Sequence, residues 1–232
     1  MSERTAVVTG GTRGFGRGIA GALGAAGYRV VTVARGEQAD VVADAAEPGV
    51  AEKVIAEHVP SVLVLNAGAV PHTAALPEQT WETFTRPWEV DARQAFEWCR
   101  AALRQPLRPG SLVVAVSSGA ALGGSPLSGG YAGAKAMVRF LARYADEEAA
   151  RAGLGIRFVA LLPGLSPGTA VGNAGAAAYA GRQGIDLAEF TAKLGPVVTP
   201  EVIGAAVAGL ARDPAAAEIA YTVSAEGLSG LK

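Results

Sequence analysis

The chain has 232 residues, half of them hydrophobic and 6% aromatic, with a formal net charge of −1. That length suits one large α/β domain better than two small ones, and the balanced, scattered charge offers no pull toward nucleic acid or an anionic membrane. A single cysteine, Cys99, excludes an intramolecular disulfide and points to a reducing, cytoplasmic compartment.

In "FEWCRAAL" Cys99 reads as a small buried hydrophobe rather than a nucleophile. Two histidines, His58 and His72, argue against a His-based metal site, so none is expected. No apolar run reaches the ~18 residues of a membrane span. The first strand-like run begins at Thr5, which leaves no room for a signal peptide.

Short β-rich runs alternate with helical stretches. "TAVVT" (5–9) is a buried strand. "GGTRGFG" follows, then a helix with Phe15, Ile19 and Leu23 on one face. "YRVVTVA" (28–34) and "ADVVA" (39–43) are the second and third strands, and "VAEKVIAEH" (50–58) is an amphipathic helix. "SVLVLN" (61–66) is the fourth strand, and a long helical region covers 77–105. "SLVVAVS" (111–117), a long helix over 131–152 and "GIRFVALL" (155–162), stopped by Pro163–Gly164, come next. A Gly/Ala-rich stretch, a helix over 200–212 and a last strand "EIAYTVS" (218–224) close the chain. Alternation of this kind predicts a parallel, doubly wound sheet, its ligand lying at the carboxyl ends of the strands.

Gly10, Gly14 and Gly16 after the first strand have the spacing G-x3-G-x-G. The turn needs residues without Cβ, the backbone must approach a pyrophosphate, and the next helix offers its N-terminal N–H groups. Strand before and helix after supply the context that a nucleotide loop requires. The second strand ends in Ala34 and Arg35 with no carboxylate to take the ribose 2′-hydroxyl. Arg13 and Arg35 can both face a 2′-phosphate, so NADP(H) is expected over NAD(H), although Glu37 stands close enough to pair with Arg35.

"YAGAK" (131–135) sets a tyrosine and one of four lysines at i and i+4, on one helix face. An ammonium beneath a phenol favours the phenolate, which is how a protein makes a proton donor for near-neutral pH.

Together these pieces resemble the short-chain dehydrogenase/reductase family, in particular its carbonyl and ketoacyl reductases. "TGGTRGFG" is similar to the family's cofactor loop, Asp44 to its adenine-side aspartate, "NAG" (66–68) to its strand-end signature and "PG" (163–164) to its turn after the sixth strand. Ser118 lies thirteen residues before Tyr131, the family spacing of catalytic serine and tyrosine, and "YAGAK" matches Y-x3-K. The resemblance implies a single-domain Rossmann fold of about seven parallel strands over 1–232. It implies hydride transfer between the cofactor and a ketone or aldehyde, with Tyr131 as acid/base, Ser118 on the reacting oxygen and Lys135 on Tyr131 and the nicotinamide ribose. It assigns to the cofactor Gly10, Thr12, Arg13, Gly14, Phe15, Gly16, Arg35, Asp44, Asn66, Ala67, Gly68, Tyr131, Lys135, Pro163, Gly164 and Leu165. The segment 165–195 is expected to be the substrate lid, and the helices over 77–105 and 130–152 to form the surface of a homodimer or homotetramer.

Three positions depart from the pattern. Asp91 stands where the family has a catalytic asparagine; near Lys135 its charge would hold the ammonium. Thr169 falls one place late after the Pro-Gly turn, and the last strand runs into "VSAEGLSG" rather than a V-D-G-G-like turn. The alternatives to a reductase are an NADP(H)-binding sensor without turnover, which an intact Ser118–Tyr131–Lys135 set disfavours, and an epimerase or dehydratase, for whose substrate domain the chain is short.

Overall fold

The computed structural model describes residues 4–213, 216 and 218–231. Eight strands form one sheet in the order β3-β2-β1-β4-β5-β6-β7-β8. They are β1 (Thr5–Thr9), β2 (Arg29–Ala34), β3 (Val41–Val42), β4 (Val62–Leu65), β5 (Leu112–Val116), β6 (Arg157–Pro163), β7 (Ala220–Ser224) and β8 (Gly227–Gly230). The first seven are parallel, as the alternation predicts; β8 is an addition, turning back antiparallel on β7. It is made from the unconventional "VSAEGLSG" tail, which folds as a hairpin.

The central strands β1, β4 and β5 are buried along their whole length, as Val/Leu-rich strands covered on both faces must be. Helices α1 (Gly14–Ala25) and α9 (Pro200–Arg212) cover one face, joining Ile19, Leu23, Ile203 and Val207 to Val8, Val64 and Val114. Helices α2 (Val50–His58), α4 (Arg93–Arg104) and α6 (Gly129–Arg151) cover the other. Cys99 of α4 lies in that second core, where burial pushes its thiol up to about 12.

The helical region expected over 77–105 is broken. A 3-10 turn at Leu76–Glu78 leads to α3 (Trp81–Pro87), then a π turn at Trp88–Ala92, then α4. Pro87 has no N–H to donate back into α3, so a wider turn at this point costs little. The Gly/Ala-rich stretch is helical: α7 (Ala170–Gln183) and α8 (Leu187–Leu194) pack on each other through Ala176, Ala180 and Phe190. Thr169 caps α7, its Oγ1 accepting the Gly172 N–H at 3.0 Å. A short helix α5 (Ala120–Gly123) follows β5. Among the described residues no helix is long and apolar enough to cross a membrane.

Candidate active site

The chain leaves β1 toward β2 and β3, then returns to lay β4 on β1's other side. A crevice opens at the carboxyl ends of the strands beside this reversal. It is a cavity of about 1090 Å³, room for a dinucleotide and a second small molecule rather than for one drug-sized ligand alone.

Its floor is the glycine loop. A Cβ on Gly16 would stand 2.1 Å from the Gly10 carbonyl oxygen, and one on Gly10 would stand 2.9 Å from Ala67 Cα. Glycine at both positions lets three backbone segments close up. Buried polar bonds then fix them. Thr9 Oγ1 donates to Gln94 Oε1 and accepts the N–H groups of Asn66 and Ala67. Gln94 Nε2 donates to Ala67 O at 2.8 Å, and Asn66 Nδ2 to Thr9 O at 3.0 Å. Gln94 and Thr9 line no part of the cavity but hold "NAG" in place; Gln94 was not singled out by its motif. Its signal is periodic: Asp91, Gln94 and Trp98 stand at i, i+3 and i+7 on a buried face where only apolar residues are expected.

No side chain caps the start of α1 and no acid lies in its first turn. Arg13 and Arg35 both line the cavity, with no ion pair or hydrogen bond to either guanidinium among the described residues. Glu37 forms no ion pair with Arg35 among the described residues, and Asp40, the next acid after β2, is already engaged. Its Oδ2 accepts both Thr32 N–H at 2.8 Å and Thr32 Oγ1–H at 2.7 Å, and these bonds hold its carboxyl below the usual value. Asp44 does line the cavity; its Oδ1 accepts the Ala46 N–H, and Trp98 Nε1 donates to Ala45 O to fix this loop. Uncapped helix N–H groups and two free guanidiniums fit the phosphates of a dinucleotide.

Ser118, Tyr131, Lys135 and Asp91 come together above this floor. Lys135 Nζ lies 5.7 Å from the centroid of the Tyr131 ring. It donates to Val116 O at 3.0 Å, and Ser117 Oγ donates to Lys135 O at 2.7 Å, tying α6 to the end of β5. The π turn brings Asp91 Oδ2 to 3.0 Å from Lys135 Nζ, with both side chains buried. The two groups form a buried ion pair, ammonium against carboxylate. Asp91 Oδ1 accepts the Ala69 N–H at 2.8 Å. Burial pushes the Lys135 ammonium toward a lower pKa; the charges of Asp91 and Tyr131 oppose it and hold the group above its ordinary value.

Of the residues predicted from the sequence, every one except Gly16 lines the cavity; Gly16 lies under it, against Gly10. Thr169, Ser128 and Tyr179 also line it. Among the described residues no group of three or more His, Cys, Asp or Glu could hold a metal ion.

Residues 10–225 match the family described as "Enoyl-(Acyl carrier protein) reductase". The chain belongs to the short-chain dehydrogenase/reductase family. Solved structures share its fold. A variant of actinorhodin polyketide ketoreductase with NADPH is 24% identical over 96% of each chain, with a TM-score of 0.82. The 3-ketoacyl-(acyl-carrier-protein) reductase of Brucella melitensis, complexed with NADH, is 22% identical over 96% of this chain and 97% of that one (TM-score 0.76). A dehydrogenase/reductase from Sinorhizobium meliloti 1021 is 25% identical over 97% and 95% (TM-score 0.79). Membership makes the chain an oxidoreductase of a nicotinamide-using family.

Proposed function

We propose that this short-chain dehydrogenase/reductase reduces a ketone or aldehyde with NADPH, or runs the reverse oxidation. The observation that carries the reading is the convergence of Ser118, Tyr131 and an Asp91-paired Lys135 on one cavity above the glycine floor. When bound, the nicotinamide supplies hydride to the carbonyl carbon. Tyr131 holds the proton that goes to the carbonyl oxygen, and Ser118 donates a second hydrogen bond to it as charge develops there. Lys135 keeps its ammonium beneath the phenol; Asp91 positions and charges Lys135. Gly10, Thr12, Arg13, Gly14, Phe15, Asn66, Ala67 and Gly68 bind the dinucleotide, Asp44 its adenine side, and Pro163, Gly164 and Leu165 its nicotinamide side.

Preference for NADPH over NADH rests on Arg13 and Arg35, which pair with no acid among the described residues, and on Asp40 being turned back onto Thr32. The segment 165–195 serves as the substrate lid: α7 and α8 carry a small core of their own, and Leu165 and Tyr179 of that cluster reach the cavity. The protein works in the cytoplasm as a homodimer or homotetramer. Phe96 of α4 and Phe140 and Tyr144 of α6 are each about half exposed, an apolar surface for a second copy.

The test is NADPH oxidation against a panel of carbonyl compounds, with Tyr131→Phe beside the unmodified protein. Removing the hydroxyl while keeping the ring is expected to lower kcat by about 10²–10⁴ in a variant that still binds NADPH. NADPH binding with no turnover of any compound would support the sensor reading instead.

A further inference from the structure

The substrate end of the cavity holds a hydroxyl cluster. Ser125 Oγ lies within hydrogen-bond reach of Ser128 Oγ, at 2.7 Å, and of Tyr179 Oη. It also accepts the Ser128 N–H at 3.1 Å. Ser128 and Tyr179 line the cavity, and neither hydroxyl has another partner among the described residues.

Three hydroxyls carry three protons, and two oxygen–oxygen contacts use two of them. One donor is always left over. If both outer hydroxyls donated to Ser125, its oxygen would take three donors on two lone pairs, which excludes that arrangement. The bonds therefore run in one direction along the cluster, and the spare proton sits on Ser128 or on Tyr179, in either case on the cavity wall.

Ser128 is the N-cap residue of α6, three residues before Tyr131, and both line the cavity. The charged side chains of the cavity, Arg13, Arg35, Asp44, Asp91 and Lys135, are all taken by the cofactor and the reacting centre in the reading above. No cation of the cavity is then left to pair an anionic group beside the cluster, so the acceptor that fits the spare proton is a neutral oxygen.

We propose that Ser128 and Tyr179 are specificity-determining residues that donate one hydrogen bond to a second, uncharged oxygen of the substrate, beyond the carbonyl being reduced. This rests on the reductase reading. The favoured substrates are keto-esters or diketones over simple ketones of the same size. Either hydroxyl can supply the donor when the other is absent, so the two back each other up.

The experiment compares kcat/KM for ethyl acetoacetate and for 2-octanone, equal in heavy atoms, in four proteins: unmodified, Ser128→Ala, Tyr179→Phe, and the double variant. Tyr179→Phe keeps the ring that packs against Phe190. Ser128→Ala removes no helix cap, because the Ser128 side chain makes none. Each single variant is expected to lose less than about threefold on the keto-ester. The double variant loses about tenfold on it, near 1.4 kcal/mol, and less than twofold on 2-octanone. Equal losses on both ketones, or no loss on the keto-ester, would overturn the proposal while leaving the reductase reading intact. Failure of the unmodified protein on the keto-ester while other carbonyl compounds of the panel are reduced overturns the proposal alone; failure on the whole panel overturns both.

Discussion

The floor of the cavity and the segment we propose as its lid are built to different tolerances. The floor is three backbone segments pressed together and sewn with buried bonds from Thr9, Gln94 and Asn66. The lid is tight only at its root, where a Cβ on Gly172 would stand 1.8 Å from Ser166 O. Beyond that, α7 and α8 lean on a core of three small or aromatic side chains and touch the body through hydroxyls. A rigid surface suits a cofactor that is the same in every turnover. A lightly packed one suits a substrate that must enter and leave.

If that contrast is right, the largest effect belongs to the buried pair above the floor. Asp91→Ala strands the Lys135 ammonium in a buried site and should cost about 3–5 kcal/mol of stability, read by denaturant unfolding. Asp91→Asn keeps the shape; kcat should fall by less than about tenfold near neutral pH, roughly 1.4 kcal/mol. Its alkaline limb should move to lower pH, because burial then acts on Lys135 with only Tyr131 opposing it. In the unmodified protein the lysine's pKa is raised on folding above 10.5, so its contribution to stability is complete below that pH and disappears as pH climbs through the higher folded value. An unmoved limb in kcat-against-pH profiles of the two proteins would break the link.

The next effect is a steric one. Gly16→Ala should weaken NADPH binding by about a hundredfold, since even a 1 Å displacement of a positioning loop can cost that much; titration calorimetry reads it. Retained affinity would mean the floor yields as readily as the lid. Smaller again is Arg35→Ala, for which we expect NADPH to lose about tenfold in affinity and NADH less than twofold, measured by fluorescence titration. Equal losses would remove the 2′-phosphate from the account.

The smallest effect has the opposite sign. Gly181 of α7 is exposed, and a Cβ there meets nothing within 4 Å. Gly181→Ala should stabilise the protein by about 0.5–1 kcal/mol through helix propensity, seen as a small rise in Tm. The same substitution thus harms the floor and helps the lid.

Much of the floor was legible in the sequence, because its chemistry is local. The order of strands, the glycine spacing and the Y-x3-K pair each lie in one short segment, and the strand alternation places them at one end of a sheet. What could not be read depends on distance in the chain. The Thr9–Gln94 bond joins residues 85 apart. Asp91 could be flagged as a departure, but its contact with Lys135 depends on a π turn that Pro87 permits without announcing. Glycine-poor propensity rules also misjudge α7: a Gly/Ala run looks like a loop, yet capping by Thr169 and contact with Phe190 make it a helix. The eighth strand escaped because "GLSG" has no apolar alternation, and only pairing with β7 makes it one.

Cys99 gives the fold a built-in stopwatch. It is the only thiol in the chain, 4% exposed, with burial pushing it up to about 12. Near neutral pH it carries almost no thiolate and offers a reagent no approach. A thiol-specific dye must therefore wait until the core between α4 and the sheet opens. Where reclosing is fast, the dye's uptake counts the open molecules at each moment. One natural residue thereby reports how often this core comes apart, with no probe added to the protein and none near its working cavity.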